Sequence, residues 1–373
     1  MGNIKTISKG NRLLAFALSL LLIFSLTACS KDKEENKTGA DPKATKTVVD
    51  ITNRTVEIPK DVKSVVCINV GALRYTCYMG AQNLVTGIED YDKEGEILRP
   101  YSHVNHDLFK DLPVVGTNGT QYHEAIIDVN PDVIVMKTME KSEADSLQEK
   151  TGIPVVAIPG SDQTLDKNAF DTINILGEVY NKQDRAKELT AYLKSVQKDL
   201  NDRTKDIKDQ DKPSVYVGGV SFKGHHGFDG TEANYGPLAL INANNLANTT
   251  GEEFAFNIDL EKVLEWDPDI ILIDFNGMPL IKEDYAKNPK FYDSLSAFKE
   301  GKAYSQISFR SCASNLDTAL IDAYYAGSVI YPDKFKDVDI DKKAEEIFTK
   351  LLSKSPYEDL KEQGYEFRAV TLR

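Results

Sequence analysis

Between Lys182 and Asp206 neither glycine nor proline interrupts the chain, and Ala186, Leu189, Leu193, Val196 and Leu200 recur at spacings of three and four. Nearly every other position is charged or polar. That spacing predicts one buried stripe on an otherwise solvated helix, with Asn181 as its N-cap. Two dozen residues make a rod of about 36 Å, long enough to cross a whole domain. A stiff element of that length obliges the rest of the chain to pack on either side of it.

The two flanks carry matching text. Upstream stands Glu124-Ala-Ile-Ile-Asp-Val-Asn-Pro131-Asp132 before Val-Ile-Val-Met136, and downstream Glu261-Lys-Val-Leu-Glu-Trp-Asp-Pro268-Asp269 before Ile-Ile-Leu-Ile273. Each reads as a short helix ended by proline, which lacks a backbone donor and turns its predecessor away from the α region. The apolar run that follows suits a strand buried on both faces of a parallel sheet. The repeat predicts two similar α/β lobes joined by one rigid helix.

At the start, Lys5, Lys9 and Arg12 precede an apolar core, Leu13 to Leu26, and Thr27-Ala28-Cys29 closes it. The core is short of the ~20 apolar residues of a transmembrane span, so a targeting leader is expected. Polar residues 30–45 read as a flexible tether. The expected boundaries are a leader at 1–28, a tether at 29–46, lobes at 47–180 and 209–373, and a connector at 181–208. About 330 residues beyond the tether are too many for one ordinary core.

The net charge of −13, with no basic run, argues against nucleic acid, which demands a positive footprint. Beyond Cys29, cysteines 67, 77 and 312 form no CxxC and no structural zinc pattern. Cys67 lies in the apolar run from Val65, so a buried thiol is the default, with a Cys67–Cys77 disulfide open in an exported protein. A hairpin is expected over 48–59, then strands at 64–68, 84–88, 113–115, 132–136 and 154–158, and in the second lobe at 214–217, 269–273 and 302–305.

Leu26-Thr27-Ala28-Cys29 resembles a bacterial lipoprotein signal, which implies lipidation of Cys29 and a chain held on the extracytoplasmic face of the cell membrane. Asp50 to Pro59 with Val65-Val-Cys-Ile, the two Pro-Asp units and Tyr324-Tyr-Ala-Gly-Ser-Val-Ile-Tyr-Pro332 together resemble the iron-complex class of ABC-transporter substrate-binding proteins. The resemblance covers nearly all of the chain after the leader. It implies an α/β fold of two Rossmann-like lobes with central parallel sheets, a single long helix joining them, and a ligand cleft between. It implies as cargo a siderophore, haem, cobalamin or related metal chelate, no intrinsic cofactor, and as partners an ABC permease with its ATPase. It gives Glu124 and Glu261 the role of docking to arginines on the permease. A receptor of the same build for a free metal ion or another small organic solute is the alternative.

Loops at strand ends should line the cleft. The candidate ligand residues are Asn69, Arg74, Tyr91, Gln121, Tyr122, Ser221, Lys223, His225, His226, Asn276 and Arg310. Arginine forks suit anionic groups, with an inter-lobe salt bridge as the other role for Arg310. All five histidines, 103, 106, 123, 225 and 226, are expected in loops, and His225 or His226 is the candidate metal contact. Tyr75, Tyr91, Tyr122 and Tyr235 are candidates for stacking on a flat ligand. Cys312 is read as a thiolate ligand or a buried thiol. Neither G-x-S-x-G nor H-E-x-x-H occurs, so no catalytic residue is assigned. The stiff connector predicts a small closure on binding.

Overall fold

The computed structural model describes residues 44–117, 119–161 and 164–372. The expected leader, most of the expected tether and Cys29 lie outside the described residues. Strands β1 (Thr45–Val49) and β2 (Thr55–Pro59) form the expected hairpin. Its turn is built by Asp50, whose carboxylate accepts the N–H groups of Thr52 and Arg54. Arg54 pairs with the same carboxylate and donates to the carbonyl of Val155, fixing the hairpin to the first sheet.

That sheet has the order β6-β5-β4-β3-β7-β8, from β3 (Val65–Ile68), β4 (Val85–Glu89), β5 (Val114–Thr117), β6 (Thr120–Gln121), β7 (Val133–Lys137) and β8 (Val155–Ile158). All pairs are parallel except β5–β6. Helices α1 (Ala72–Tyr78), α2 (His123–Val129), α3 (Lys141–Thr151) and α4 (Lys167–Val179) connect or cover its strands. The second sheet is wholly parallel, ordered β11-β9-β13-β14 from β9 (Ser214–Gly218), β11 (Asn244–Asn245), β13 (Ile270–Asp274) and β14 (Ala303–Gln306). A separate antiparallel pair, β10 (Gly230–Glu232) with β12 (Ala255–Asn257), lies in the same lobe. The C-terminal tail covers the free edge of β14, with Ser305 N–H donating to Arg368 O and Val370 N–H to Ala303 O.

The connector is α5 (Gln183–Thr204), 22 residues and thus about 33 Å. Its five stripe residues are all buried. They belong to one apolar cluster that runs from Val65 and Ile173 in the first lobe to Leu320 and Phe348 in the second. The connector is therefore core, packed on α4 and on α8 (Leu316–Ile330). Asn181 does not cap it. Lys182 occupies the cap position with no side-chain bond, while Asn181, at φ 54°, accepts Lys46 Nζ at 2.6 Å and donates to Lys60 O at 2.8 Å. Asparagine tolerates the left-handed conformation, and here it stitches β1 and β2 to the start of the rod.

The matched text has a matched structure. Helices α2 and α6 (Leu260–Trp266) both have seven residues, and both end on a left-handed residue before proline, Asn130 at φ 49° and Asp267 at φ 40°. The next aspartate then clamps the neighbouring strand. Asp132 accepts the N–H of Lys63 and Ser64 and donates its own N–H to Ser64 Oγ. Asp269 accepts the N–H and hydroxyl of Ser214 and donates to Ser214 Oγ. Cys67 and Cys77 are free buried thiols, which excludes the disulfide. Burial pushes the Cys67 thiol up to about 12.

Candidate functional site

In an open parallel sheet, ligands bind outside the carboxyl ends of the strands where the strand order reverses. The first sheet reverses between β3 and β7. A cavity of 590 Å³ lies there, lined by residues that include Asn69, Gly119, Gln121, His123, Lys137, Glu143 and Lys150. Asn69 follows β3 at φ 67° and donates its amide to Lys137 O at 2.9 Å. Among the described residues its buried side-chain oxygen has no hydrogen-bond partner. Behind it the buried Glu89 carboxylate accepts the Tyr91 hydroxyl at 2.6 Å. Burial raises the Glu89 pKa, against the Tyr91 hydroxyl and the Asn69 N–H.

The second sheet reverses between β9 and β13, and here the place is filled. Gly219, at φ 81°, meets Gly277 backbone to backbone, and a Cβ on Gly277 would stand 2.3 Å from Gly219 Cα. Asp274, at the end of β13, accepts the Ser308 hydroxyl and the Asn276 N–H. Burial lifts it to about 7, opposed by those two bonds and by Arg310. The open space is displaced to one side, between the tail and α7 (Met278–Lys287). That cavity measures 790 Å³, with Phe275, Met278, Pro279, Leu280, Tyr365 and Val370 as apolar wall and His225, Lys282 and Arg368 as basic groups. Phe275 and Tyr365 place their ring centroids 5.0 Å apart. Among the described residues its lining contains no Asp or Glu, in a chain that holds 58 of them. Among the described residues the Arg368 guanidinium makes only a loose contact with Glu366, at 3.4 Å, and its side chain is more than half exposed.

Between the lobes runs a bonded seam. Arg74, 1% exposed, donates Nε to Asn315 Oδ1 at 2.9 Å and Nη2 to the carbonyls of Ser311 and Cys312. Its guanidinium covers the Tyr101 ring. Tyr78 donates to Asp317, and Arg99 approaches Cys312 Sγ at 3.3 Å. Asp92 accepts the Tyr101 hydroxyl at 2.6 Å. Burial lifts this carboxyl to about 7, against that bond and the nearby Arg74 and Arg99.

The structure thus divides the expected ligand residues. Asn69 and Gln121 meet in the first cavity, and His225 and Asn276 in the second. Arg74 has its fork engaged across the seam instead of facing a ligand. Arg310 is held by Glu232 of its own lobe, through Nε at 2.6 Å and a second, shorter bond, so it forms no inter-lobe bridge with that carboxylate. His226 stacks on Phe222 and bonds its Nε2 to the Phe222 carbonyl, which makes that nitrogen a donor rather than a metal ligand. Ser221 stands 3.5 Å from His225 Nδ1, and Lys223, at φ 50°, is exposed.

Tyr91 is engaged by Glu89, and Tyr122 is exposed at the start of α2. Tyr75 and Tyr235 are buried, against Tyr78 and Phe309, and offer no platform. Histidines 103, 106 and 123 stand on helical turns rather than loops, His103 beside Asp359. Cys312 is half-buried at the seam. Met278, Lys282, Tyr365 and Arg368 were not among the expected residues; the tail carries no motif and reaches the cavity only by pairing along β14.

The periplasmic binding protein family matches residues 79–306 of this chain, and the chain belongs to that family. It is accordingly the substrate-binding protein of an ABC importer and not an enzyme. The chain is 22% identical over 329 residues to the molybdate-binding protein MolA of Haemophilus influenzae, across 83% of this chain and 91% of MolA. It is 26% identical over 214 residues to the iron(3+)-hydroxamate-binding protein FhuD of Bacillus subtilis, 55% of this chain and 62% of FhuD. The crystal structure of a periplasmic solute-binding protein from Veillonella parvula has the same fold. It superposes with a TM-score of 0.68 at 19% identity, over 84% of this chain and 94% of that one.

Proposed function

We propose that this chain is an extracytoplasmic receptor, anchored to the membrane by lipid on Cys29, that captures an iron or related metal chelate and hands it to its permease. The observation that carries the cargo reading is the 790 Å³ cavity of the second lobe. Ligand pockets of this size pair apolar walls with a few placed polar groups. Phe275, Tyr365 and Met278 supply the walls, Lys282 and Arg368 favour negative charge, and His225 adds a hydrogen-bonding ring. An organic chelate with apolar or aromatic arms and anionic metal-binding groups meets both demands. FhuD, whose name records an iron hydroxamate, supports the same direction. Glu124 and Glu261, exposed in the first turns of α2 and α6, are the groups we assign to permease docking.

A second reading, an oxyanion receptor, is favoured by the likeness to MolA across 91% of its length. The first cavity, with Asn69, Gln121, His123, Lys137 and Lys150, is the place for it. Titrating wild type, Arg368→Ala and Lys150→Ala with ferric chelates and with molybdate separates the two. Chelate binding that falls about tenfold in Arg368→Ala only, equivalent to ~1.4 kcal/mol, supports the chelate reading. Molybdate binding lost in Lys150→Ala only supports the other.

A further inference from the structure

Helices α2 and α6 agree in burial as well as in sequence. Two residues after each docking glutamate an aliphatic side chain is fully buried against its sheet, Ile126 in one and Val263 in the other. One residue further, Ile127 is 44% exposed and Leu264 is 39% exposed. Core packing does not account for a large aliphatic group left in water at the same place in both repeats. Residues three apart share a helix face, so each helix presents a carboxylate with an aliphatic group one turn below it. Asp128 and Glu265 follow, both exposed; Glu265 is paired with Lys262 at 2.8 Å, so the second patch is less acidic than the first but both keep a net negative charge.

We infer that Ile127 and Leu264 are the apolar half of a paired docking surface for the membrane permease, each seated in an apolar recess beside a basic residue. This rests on the reading of the chain as an importer's receptor. The occupant follows from the geometry of the pair. Two like acidic–aliphatic patches on one chain match a partner that offers two equivalent basic–apolar sites, as a permease with two-fold symmetry would. The charges and the aliphatic groups then act on different rates. Exposed charges steer encounter and depend on salt, whereas buried apolar contact holds the complex once formed.

The test is binding kinetics of the full-length protein on the permease–ATPase complex of its own organism, reconstituted in nanodiscs. Ile127→Ser/Leu264→Ser is expected to raise the dissociation rate about tenfold or more. Association rate, its salt dependence, cargo affinity and unfolding midpoint should stay as in wild type. Leu108→Ser, which removes an equally exposed aliphatic group elsewhere (46%), should change none of these. A double variant that dissociates within twofold of wild type overturns the inference and leaves the importer reading standing. A wild-type protein that takes up cargo yet never binds the permease complex overturns both.

Discussion

At the amino edge, the two lobes solve one problem in one way. A seven-residue helix ends on a left-handed residue, proline follows, and an aspartate clamps a serine at the head of the neighbouring strand, Ser64 in one lobe and Ser214 in the other. At the carboxyl edge they part. The first lobe leaves its reversal point open as a polar cavity, while the second seals it with Gly219 and Gly277 and opens an apolar, basic cavity beside it. The amino edge carries the turn geometry on which the sheet depends, so it tolerates little change. The carboxyl edge carries loops whose identity the sheet does not dictate, and recognition diverges there.

This contrast can be broken at graded cost. The largest effect is expected at the Arg310–Glu232 pair, where Glu232 has only 4% of its side chain exposed. Arg310→Ala strands that carboxylate and should cost about 3–5 kcal/mol in urea unfolding. Tyr91→Phe, which removes the hydroxyl from Glu89 in the first lobe, should cost about 1–3 kcal/mol. Next is the sealed reversal point. Gly277→Ala forces a methyl against Gly219 and should cost about 3 kcal/mol, whereas Val70→Ala, at the open point of the first lobe, should cost about 1 kcal/mol or less because Val70 is only partly buried.

The shared device should respond alike in both lobes. Asp132→Ala and Asp269→Ala are each expected to lose about 1.5–3 kcal/mol, the worth of hydrogen bonds to a charged group. A difference between them above ~1 kcal/mol would end the claim of equivalence. Stability should also carry a slope with pH. Asp92 and Asp274 are both raised to about 7 in the folded chain, against about 3.9 unfolded. Between those values the folded state keeps protons that the unfolded state has released. Stability therefore falls as pH rises from about 4 to about 7, by at most ~1.4 kcal/mol per pH unit for each group. Asp92→Asn and Asp274→Asn should each flatten that slope by up to one proton, one substitution in each lobe.

Much of the frame was legible because it is periodic. The stripe of α5 declares its buried face, and the repeated Pro-Asp text declares two like units. Strands β10, β11 and β12 were not legible, since two or three residues carry no alternation to read. The roles of the arginines were hidden for another reason. Whether an arginine faces a ligand depends on what reaches it, and Arg74 is met by Asn315, 241 residues away, while Arg310 is met by Glu232, 78 residues away. Tyr365 and Arg368 enter the second cavity because the tail pairs with β14, and nothing local to those residues announces it. The aspartate of each repeat was visible, but its serine partner lies 68 or 55 residues distant.

Capture of a chelate is tested most directly by thermal unfolding of the purified protein. The panel is ferric catecholate, ferric hydroxamate, haem, cobalamin, molybdate and bare Ni²⁺. A ligand at a hundred times its dissociation constant adds about 2.7 kcal/mol, a clear rise in midpoint. A chelate receptor shows that rise with at least one chelate, about half of it in Arg368→Ala given the tenfold weaker binding, and no rise with molybdate. A midpoint raised by molybdate alone, or raised equally in Arg368→Ala, would contradict chelate capture in the second cavity.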